Sequence, residues 1–599
     1  MAAAPVHESL VKPNRPIFTD VAGLAAMVDD GDMFGIGGHH FARLPIAQLL
    51  ALADRGVRDL HYTSWAGGLS LEVLLDADAV ASIDICFSSL DIFGLAPRFR
   101  AAAESGSMPV RDWTALAMIQ ALKAAEQNLP ALPFAVPAGS DMMDRIPCAV
   151  VEHETRTSEA VGTIPPLRLD TVLLHAPRAD EHGNVQTIGA LALDWAMVSA
   201  ARKVLVTVEE IVPPGTLAKD GRQTVLTRNR VSAIAQAEGG AWPCSCLPFY
   251  VTDYAALRDF VEADAPLAQS RRLPPGGVPD HLRTAARIPA SVAASGLPVT
   301  PSATPDAPPT VDEMMAWRLA AELDNDSFAS AGAVSPLANV AYRLAKATHA
   351  PDMIIATMTC GHVDIDPSPM TLSLIEPFDA ETAVTHAGGD DTYATYYQAG
   401  AVTHEIVGAG QVDRRGQVNT IAIRKKDGGT IRLPGQGGMA DVANMDANFI
   451  VYVTRHNPLS LVETVDVVSS ARGYVGDAER QARGLRPGAV KLFTNLCVFE
   501  LDLETRELAV VEIMPEVTRE AIADATGFVV RFSKDCREVG AIPADDLRVL
   551  REQIDPLGLR RLEFVGARDR GALLDEIISR DRDLITALAV QTEREDATA

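Results

Sequence analysis

The stretch LPIAQLLALADRGVRDLHYTSWAGG (Leu44–Gly68) has a counterpart in SPLANVAYRLAKATHAPDMIIATMTCG (Ser335–Gly361). Each stretch has proline at its second position, continues with apolar residues spaced three and four apart, and ends at glycine after a short apolar run. This pattern predicts a helix followed by a buried strand. The same unit therefore occurs once in each part of the chain.

A second pair of matching blocks follows in the same order. ADEHGNVQTI (Ala179–Ile188) agrees with VDRRGQVNTI (Val412–Ile421) at five of ten positions. Buried-strand runs come next, VLVTV (Val204–Val208) and FIVYV (Phe449–Val453). We therefore predict an α/β protein with two homologous domains, each with a mostly parallel sheet and flanking helices.

The segment between the repeats has a different composition. Pro266–Thr310 holds 10 of the 38 prolines and no aromatic residue, which predicts an exposed linker that buries no core. The predicted organisation is a first domain at 1–265, a Pro-rich linker at 266–312 and a second domain at 313–599.

Charge and composition exclude several classes of function. The 599 residues carry a net charge of −26, which argues against general binding of nucleic acid. No stretch resembles a signal peptide or a membrane span, so we expect a cytoplasmic protein with no membrane partner. The seven cysteines are scattered, and Cys244 and Cys246 form only a lone C-x-C pair, so we expect no metal site.

Two glycine loops are candidates for ligand binding. FGIGGHHFARLP (Phe34–Pro45) and RLPGQGGMADVAN (Arg432–Asn444) each place glycines before a predicted helix. Glycine lets the backbone approach a ligand with its N–H groups, although a tight turn without a ligand is the alternative. In open α/β sheets, ligands bind beyond the carboxyl ends of strands, which adds the loop Thr359–His362. The predicted main-chain contacts are Gly37, Gly38, Gly361, Gly435, Gly437 and Gly438.

Together these motifs resemble the family I CoA-transferases, most closely the glutaconate CoA-transferase type. GGHHFARLP fits the family's Gly-Gly-x(6)-Pro turn, and SWAGG, HAPRADEHGNVQ and VTVEEI are similar to its α subunit. GAGQVDRRGQVNTIAI and RLPGQGGMADVAN are similar to its β subunit. The resemblance implies an α-like and a β-like half fused in one chain, with one active site where the halves meet.

The chain departs from that family at the nucleophile. The resemblance implies a glutamate two residues before a glycine, which attacks the thioester and forms an acyl–glutamyl anhydride. This position is Thr359 in Thr359-Cys360-Gly361, and a hydroxyl cannot form an anhydride. Cys360 is expected to point away from the pocket, because successive strand residues face opposite sides. Glu376 and Glu405 are carboxylates of the same half, but no motif places either at the site.

Histidines are the alternative chemistry. His39 and His40 lie in the first glycine loop and His362 follows Gly361, so the three converge if the halves face each other. Histidine can activate water or donate to an oxyanion, although capping and packing roles are the alternatives. Gln411 falls at a family position near the active site, where its amide is expected to polarise the thioester oxygen or to brace a loop.

Ring-opening hydrolases that resemble the family use a glutamate in the α-like half. That position falls near Ala115, where Asp112 is the only carboxylate close by and Trp113 is part of either the pocket or the core. The chain therefore lacks this second carboxylate arrangement as well.

Three functions are consistent with these features. The first is transfer of CoA between carboxylic acids, and the second is hydrolysis of a CoA ester, by thioesterase or C–C ring-opening chemistry, with a histidine-activated water. The third is non-catalytic acyl-CoA binding. Coenzyme A enters as part of the substrate thioester, with a carboxylic acid as possible acceptor. The family resemblance also implies a homodimer or a higher homo-oligomer. Because CoA is anionic, Lys425, Lys426 and Arg432 are candidate cations for it.

Overall fold

The computed structural model describes residues 15–152, 160–217, 224–262, 273–294, 296–332, 335–357 and 360–596. Strands in the first half are β1 (Ile17–Thr19), β2 (Met33–Ile36), β3 (Leu60–Ala66), β4 (Val80–Phe87), β5 (Val110–Asp112), β6 (Leu132–Ala135), β7 (Ala149–Glu152), β8 (Ala160–Ile164), β9 (Leu169–Asp180), β10 (Val185–Thr187), β11 (Ala201–Val212), β12 (Thr224–Leu226) and β13 (Ala233–Gln236). Its helices are α1 (Val21–Ala25), α2 (Ile46–Arg55), α3 (Gly68–Asp76), α4 (Pro97–Ser105), α5 (Ala115–Glu126), α6 (Asp194–Ala200) and α7 (Tyr254–Val261).

Two short helices, α8 (Asp280–Ala285) and α9 (Ser291–Ala294), precede the second half. Its strands are β14 (Phe328–Ser330), β15 (Ile354–Thr357), β16 (His362–Val363), β17 (Thr385–His386), β18 (His404–Gly408), β19 (Gln411–Asp413), β20 (Val418–Asn419), β21 (Ala422–Arg424), β22 (Thr430–Arg432), β23 (Asn448–Val453), β24 (Leu461–Val462), β25 (Val490–Thr494), β26 (Cys497–Asp502), β27 (Glu507–Ile513) and β28 (Arg531–Glu538). Its helices are α10 (Val311–Ala320), α11 (Pro336–Ala347), α12 (Ile375–Thr382), α13 (Gly389–Thr392), α14 (Met439–Met445), α15 (Asp477–Ala482), α16 (Arg519–Ala525), α17 (Ala544–Val549) and α18 (Ala567–Asp596).

Each half is built on a ten-stranded sheet whose centre is parallel. In the first half the strand order is β1-β13-β11-β9-β2-β3-β4-β5, and every pair along it is parallel. In the second half the order is β17-β16-β15-β14-β18-β23-β25-β26-β27-β28, with the parallel pairs in the run β15-β14-β18-β23-β25. The α/β class with two related domains is confirmed.

The duplication appears strand for strand. The run β3-β2-β9-β11-β13 of the first half corresponds to β15-β14-β18-β23-β25 of the second. The two matched D-x-x-G blocks form equivalent tight turns: Asp180 accepts backbone N–H groups of His182 and Asn184, and Asp413 accepts those of Arg415 and Gln417. These aspartates are therefore turn formers.

The Pro-rich segment is not wholly exposed, which corrects the sequence-based expectation. Val278, Leu282, Ala285 and Ile288 are all buried in the first-half core. Their spacing of three and four residues places them on one face of α8 and the turns beside it, so a segment without aromatic residues still presents an apolar stripe.

The last helix, α18, connects the two halves. The first-half core includes Leu584, Ile585 and Leu588 of this helix. The buried side chains of its preceding turns cluster with leucines of the second half. Arg258 of α7 also pairs with Asp575 of α18 at 2.9 Å. The C-terminal segment therefore lies across the junction between halves. Among the described helices, none combines the length and the apolar content that a bilayer crossing requires.

Candidate active site

Two adjoining cavities lie where the halves meet. The first has a volume of about 230 Å³, and we call it the histidine compartment. Its lining includes His39, His40, Thr357, Cys360, His362 and Glu376. The second has a volume of about 490 Å³, and we call it the aromatic compartment. Its lining includes Trp65, Phe87, Tyr393, Tyr397, Glu405 and the loop Gly435–Gly438. His39, His40 and Asp91 line both cavities, so the two form one cleft.

A strained turn after β2 carries the first pair of histidines. Gly38, His40 and Arg43 all have φ between +50° and +80°, and such left-handed backbone is held only where its surroundings fix it. Asp194 supplies this restraint, accepting the Gly38 N–H at 2.8 Å and the Arg43 guanidinium at 2.8 Å. The Gly37 N–H is donated to Leu173 at 3.0 Å. Both glycine N–H groups are thus engaged within the protein, and their contact with a ligand remains a prediction.

His39 and His40 have different environments. Both His39 ring nitrogens are buried without a hydrogen-bond partner, and burial holds the pKa of His39 well below its usual value. His40, whose ring centroid is 4.0 Å from that of His39, lies 2.6 Å from Asp91 through Nδ1. Asp91 therefore orients His40, while His39 remains neutral with both nitrogens available.

The second-half loop docks closely on the first half. Thr359 lies outside the described residues, in the two-residue gap 358–359. The described residues that flank this gap, Thr357 and Cys360, line the histidine compartment. Because β15 ends at Thr357, the strand alternation on which the expectation for Cys360 relied does not extend to this residue. The Leu191 N–H donates to the Cys360 carbonyl at 3.3 Å.

Gly361 and His362 follow in that loop. Gly361 has φ +80°, and a Cβ there would lie 1.8 Å from the Ala387 carbonyl oxygen, so only glycine fits. His362 Nε2 has no partner, and burial lowers the pKa of His362 to about 3. His362 lines the histidine compartment together with His39 and His40, as the sequence predicted.

The Gly435–Gly438 loop also touches the first half. The Gly437 N–H donates to the Cys86 carbonyl oxygen at 2.9 Å, and the Ser88 backbone N–H donates to the Pro434 carbonyl oxygen at 2.8 Å. A Cβ on Gly438 would lie 1.8 Å from the Tyr393 hydroxyl. The loop lines the aromatic compartment, so the prediction that it faces a ligand fits its position there.

Other side chains that the sequence singled out make hydrogen bonds within the protein. Gln411 donates to Leu459 at 3.3 Å and accepts from Asn419 at 2.8 Å, and it is not among the described residues that line the two compartments. Arg432 is committed to Asp112, with Nη1 at 3.0 Å from the carboxylate. Trp113 is buried and donates to Asp84 at 2.9 Å, so it belongs to the core.

Three glutamates that no motif identified lie on the cleft. Glu376 lines the histidine compartment, Glu405 lines the aromatic compartment, and Glu563 lines both. Burial raises the pKa of each to about 7. Glu376 precedes a proline in a helix and Glu563 lies in the C-terminal segment, so no local pattern singled them out.

Glu376 is held from the opposite half. The Ser245 hydroxyl donates to its Oε2 at 2.5 Å, and Oε1 has no hydrogen-bond partner. Oε1 faces Gly189, where a Cβ would lie 3.2 Å from it. Gly189 and Leu191 belong to one loop, so Glu376 and Cys360 both border the same part of the first half.

A separate buried cluster contains Cys246. From the sequence we expected no metal site at this cysteine. Its sulfur lies with His175 and Glu209 in a group whose ligand atoms are within 4.8 Å of one another. Glu209 already accepts from His175 at 2.8 Å, Tyr250 at 2.6 Å and the Gly239 N–H at 2.8 Å. Protein donors thus satisfy this carboxylate.

Comparison with known proteins follows the same division into halves. The sequence model of the family described as coenzyme A transferase matches residues 18–225 and 312–525. One of the 3-oxoadipate CoA-transferase subunits from Pseudomonas knackmussii is 29% identical over 244 residues, covering 40% of this chain and 92% of that relative. The IpdA subunit of the cholesterol ring-cleaving hydrolase from Mycobacterium tuberculosis is 32% identical over 251 residues, covering 40% and 85%.

A solved structure matches across both halves. The acyl-CoA transferase YdiF from Escherichia coli O157:H7 superposes with a TM-score of 0.62 at 14% identity, covering 90% of this chain and 98% of that one. The same E. coli protein has been solved as a thioester complex with CoA. At this identity the match supports the fold of the two halves in one chain.

Proposed function

This chain belongs to the coenzyme A transferase family, and from that premise we propose that it hydrolyses a CoA ester in the cleft between its halves, with Glu376 as the base that activates water. The chain is an acyl-CoA enzyme of the family I CoA-transferase type, with α-like and β-like parts fused.

The observation that carries the proposal is the carboxyl group of Glu376. It lies in the compartment that Thr357 and Cys360 also line. In the sequence, threonine replaces the glutamate expected between these two residues. Burial raises the pKa of Glu376 to about 7, and Oε1 has no partner. A carboxylate with that pKa is a stronger base than an ordinary glutamate and is ionised in part at neutral pH.

The histidines have a different role in this proposal. Burial lowers the pKa of His39 and His362, so both imidazoles are weak bases that remain neutral. A neutral imidazole can donate a hydrogen bond to a carbonyl oxygen as negative charge develops there. We therefore assign water activation to Glu376 and polarisation of the acyl oxygen to a histidine.

Cys360, which lines the same compartment, is a candidate for shaping the acyl site. The hydrolytic reaction is either cleavage of the thioester to free CoA or opening of a carbon–carbon bond in the acyl group. The 32% identity to a ring-cleaving hydrolase subunit supports hydrolysis as a class.

Transfer of CoA between two carboxylic acids is the second candidate. The observation that favours it is the unpartnered Oε1 of Glu376, which can attack a thioester as well as deprotonate water. In that case Glu376 and the acyl group form an anhydride as CoA leaves as a thiolate. The thiolate then attacks the glutamyl carbonyl, the donor carboxylate leaves, and a glutamyl–CoA thioester remains for a carboxylic acid acceptor.

The test is a panel of acyl-CoAs in ¹⁸O-labelled water, with and without acetate or succinate, followed by mass spectrometry. We expect ¹⁸O in the product and no dependence on the added acid. We also expect Glu376→Gln to lower the rate about 10²–10⁴-fold. Because the base must be ionised, kcat/KM should fall as the pH drops below about 7.

Glu381→Gln is the matched control, since Glu381 lies on the same helix and accepts the Ala290 N–H outside the histidine compartment. It should retain the wild-type rate. Acetyl-CoA or succinyl-CoA formed without ¹⁸O incorporation would instead establish transfer. Full activity in Glu376→Gln would exclude this residue as the base.

A further inference from the structure

The side chain that holds Glu376 comes from the other half of the chain. Ser245 lies in the loop between β13 and α7 and is completely buried. Its hydroxyl donates to Glu376 Oε2 at 2.5 Å, across the junction between the halves. A buried serine of the first half therefore contacts the proposed base of the second.

The strained turn after β2 fixes the position of Ser245. The Ser245 N–H donates to the Phe41 carbonyl oxygen at 2.8 Å, and the Arg43 N–H donates to the Ser245 carbonyl oxygen at 2.8 Å. The Ser245 hydroxyl oxygen also lies 3.3 Å from the Phe41 carbonyl oxygen. Because the backbone is bonded on both sides, the serine has little freedom to move away from the carboxyl group that it contacts.

The contact gives the two oxygens of Glu376 different environments. Oε2 accepts the Ser245 hydroxyl, whereas Oε1 has no hydrogen-bond partner. Burial raises the pKa of Glu376 to about 7, and the Ser245 hydrogen bond acts in the opposite sense. A donor to a carboxylate stabilises its charged form. Ser245 thus restrains one oxygen, leaves the other unpaired, and favours the ionised state that a base requires.

We propose that Ser245 is a positioning residue for the reaction, which holds Oε2 of Glu376 so that Oε1 is the oxygen that takes a proton from water. This inference rests on the proposed hydrolysis with Glu376 as the base. Ser245 neither gives up its own proton nor bonds to the acyl group, and it acts only through Glu376. Since the two residues belong to opposite halves, the base is in position only where the halves are docked.

Other charged groups around Glu376 are paired with one another. Arg43 also favours the ionised form of Glu376, and its guanidinium lies 2.8 Å from Asp194. On α12, Asp379 opposes that form and lies 2.8 Å from Arg343. Further titratable groups near Glu376 are His39, His40 with Asp91, Cys244, Cys246, Tyr254, Cys360, His362 and Glu563.

Most of these further groups keep one charge state near neutral pH. Burial raises the pKa of Cys244, Cys246 and Tyr254 and lowers that of His39 and His362, so all five are neutral there. Burial raises the pKa of Glu563 to about 7, in the same range as that of Glu376. The effect of Ser245 is therefore measured both with and without the Glu376 carboxyl group.

The experiment is the pH dependence of kcat and KM for hydrolysis by the full-length chain. Ser245→Ala should move the acid limb of kcat/KM upward by about one to two pH units, because the carboxylate loses its donor. It should also lower kcat about 10-fold on the alkaline side, with KM within about twofold, because the base is no longer held in one orientation. Ser245→Cys, whose thiol is a weaker donor, should give an intermediate profile.

Thr171→Val is the matched control. Thr171 is also completely buried in the first half, and its hydroxyl donates to the carboxylate of Asp32 at 2.6 Å. Neither residue is among the described residues that line the two compartments. Thr171→Val should keep the wild-type acid limb even where thermal unfolding shows a loss of stability, which separates positioning of the base from support of the fold.

The combination of Ser245→Ala with Glu376→Gln tests whether Ser245 acts through the base. The double variant should retain the residual rate of Glu376→Gln, and a further loss of about 10-fold would overturn the proposal. An acid limb that stays at the wild-type pH in Ser245→Ala would also overturn it and leave the proposed hydrolysis standing. Full activity in Glu376→Gln would instead refute the proposed base, and the role of Ser245 with it.

Discussion

At the scale of single residues, unpaired buried polar atoms gather on one cavity wall. They include both ring nitrogens of His39, Thr357 Oγ1, His362 Nε2 and Glu376 Oε1. An unpaired buried polar atom costs about 1–3 kcal/mol, so such atoms are rare in a settled core. Their concentration in the histidine compartment indicates a site that is completed by a ligand.

Gly361 packs tightly against the backbone of Ala387 within the second half. Gly361→Ala should lower the free energy of unfolding by about 2–4 kcal/mol, because the new Cβ meets the Ala387 carbonyl at left-handed φ. Gly437→Ala is the control, since its φ is also positive but no atom lies within 4 Å of the added carbon. That variant should lose about 1 kcal/mol. Thermal unfolding would compare them, and equal losses would contradict the steric argument.

The residues of the site could be predicted only in part. His39, His40 and His362 carried a signal because they lie beside glycines in loops that follow strands. Glu376 and Glu563 carried none, since their positions on the cleft depend on contacts with Ser245 and Tyr452 that are distant in sequence. Chemistry that arises from long-range packing is not encoded in a local motif.

At the scale of elements, the C-terminal segment closes the cleft. Glu563 accepts the Leu337 N–H at the start of α11 and the Tyr452 hydroxyl. Arg570 of α18 donates to the Ile92 carbonyl of the first half at 2.8 Å. These residues line both compartments, although they follow the last residue that the family model matches.

The docking of α18 on the first half can be measured. Leu588 is 1% exposed in that core, so Leu588→Ala should lower the free energy of unfolding by about 2–5 kcal/mol. Val590, on the same helix, is 44% exposed. Val590→Ala should change stability by less than about 0.5 kcal/mol. Chemical denaturation of both variants would decide, and a neutral Leu588→Ala would mean that this helix end does not hold the halves together.

Helices and strands were predicted correctly from the sequence where the apolar periodicity was strong. The repeated helix–strand units predicted α2 with β3 and α11 with β15 correctly, because their apolar spacing matches their packing. The position of α18 against the first half was not predictable, since a helix pattern specifies an apolar face but not the partner that covers it.

At the scale of the whole molecule, buried acids set the dependence of stability on pH. Burial raises the pKa of Glu376, Glu405, Asp441 and Glu563 to about 7, so the folded state binds more protons than the unfolded state up to that pH. Stability therefore falls as the pH rises through about 7. The buried histidines act in the opposite sense, but only below 6.5, where the unfolded histidines take up protons.

We expect the Tm to decrease between about pH 6.5 and pH 8. Glu563→Gln should flatten that decrease, because it removes one of the four groups. The exposed Glu504→Gln should leave the slope unchanged. Differential scanning calorimetry across this range would measure the slope, and a Tm that rises with pH would contradict the assignment.

The chain that joins the halves also has a kinetic consequence. The cleft needs groups from both halves, as the Ser245–Glu376 contact shows, and here both are covalently connected through the Pro-rich segment. Tethering of this kind makes the encounter of the halves intramolecular, at an effective concentration that short tethers can bring to the millimolar range. Association of the halves, and the specific activity that depends on it, should therefore be insensitive to dilution.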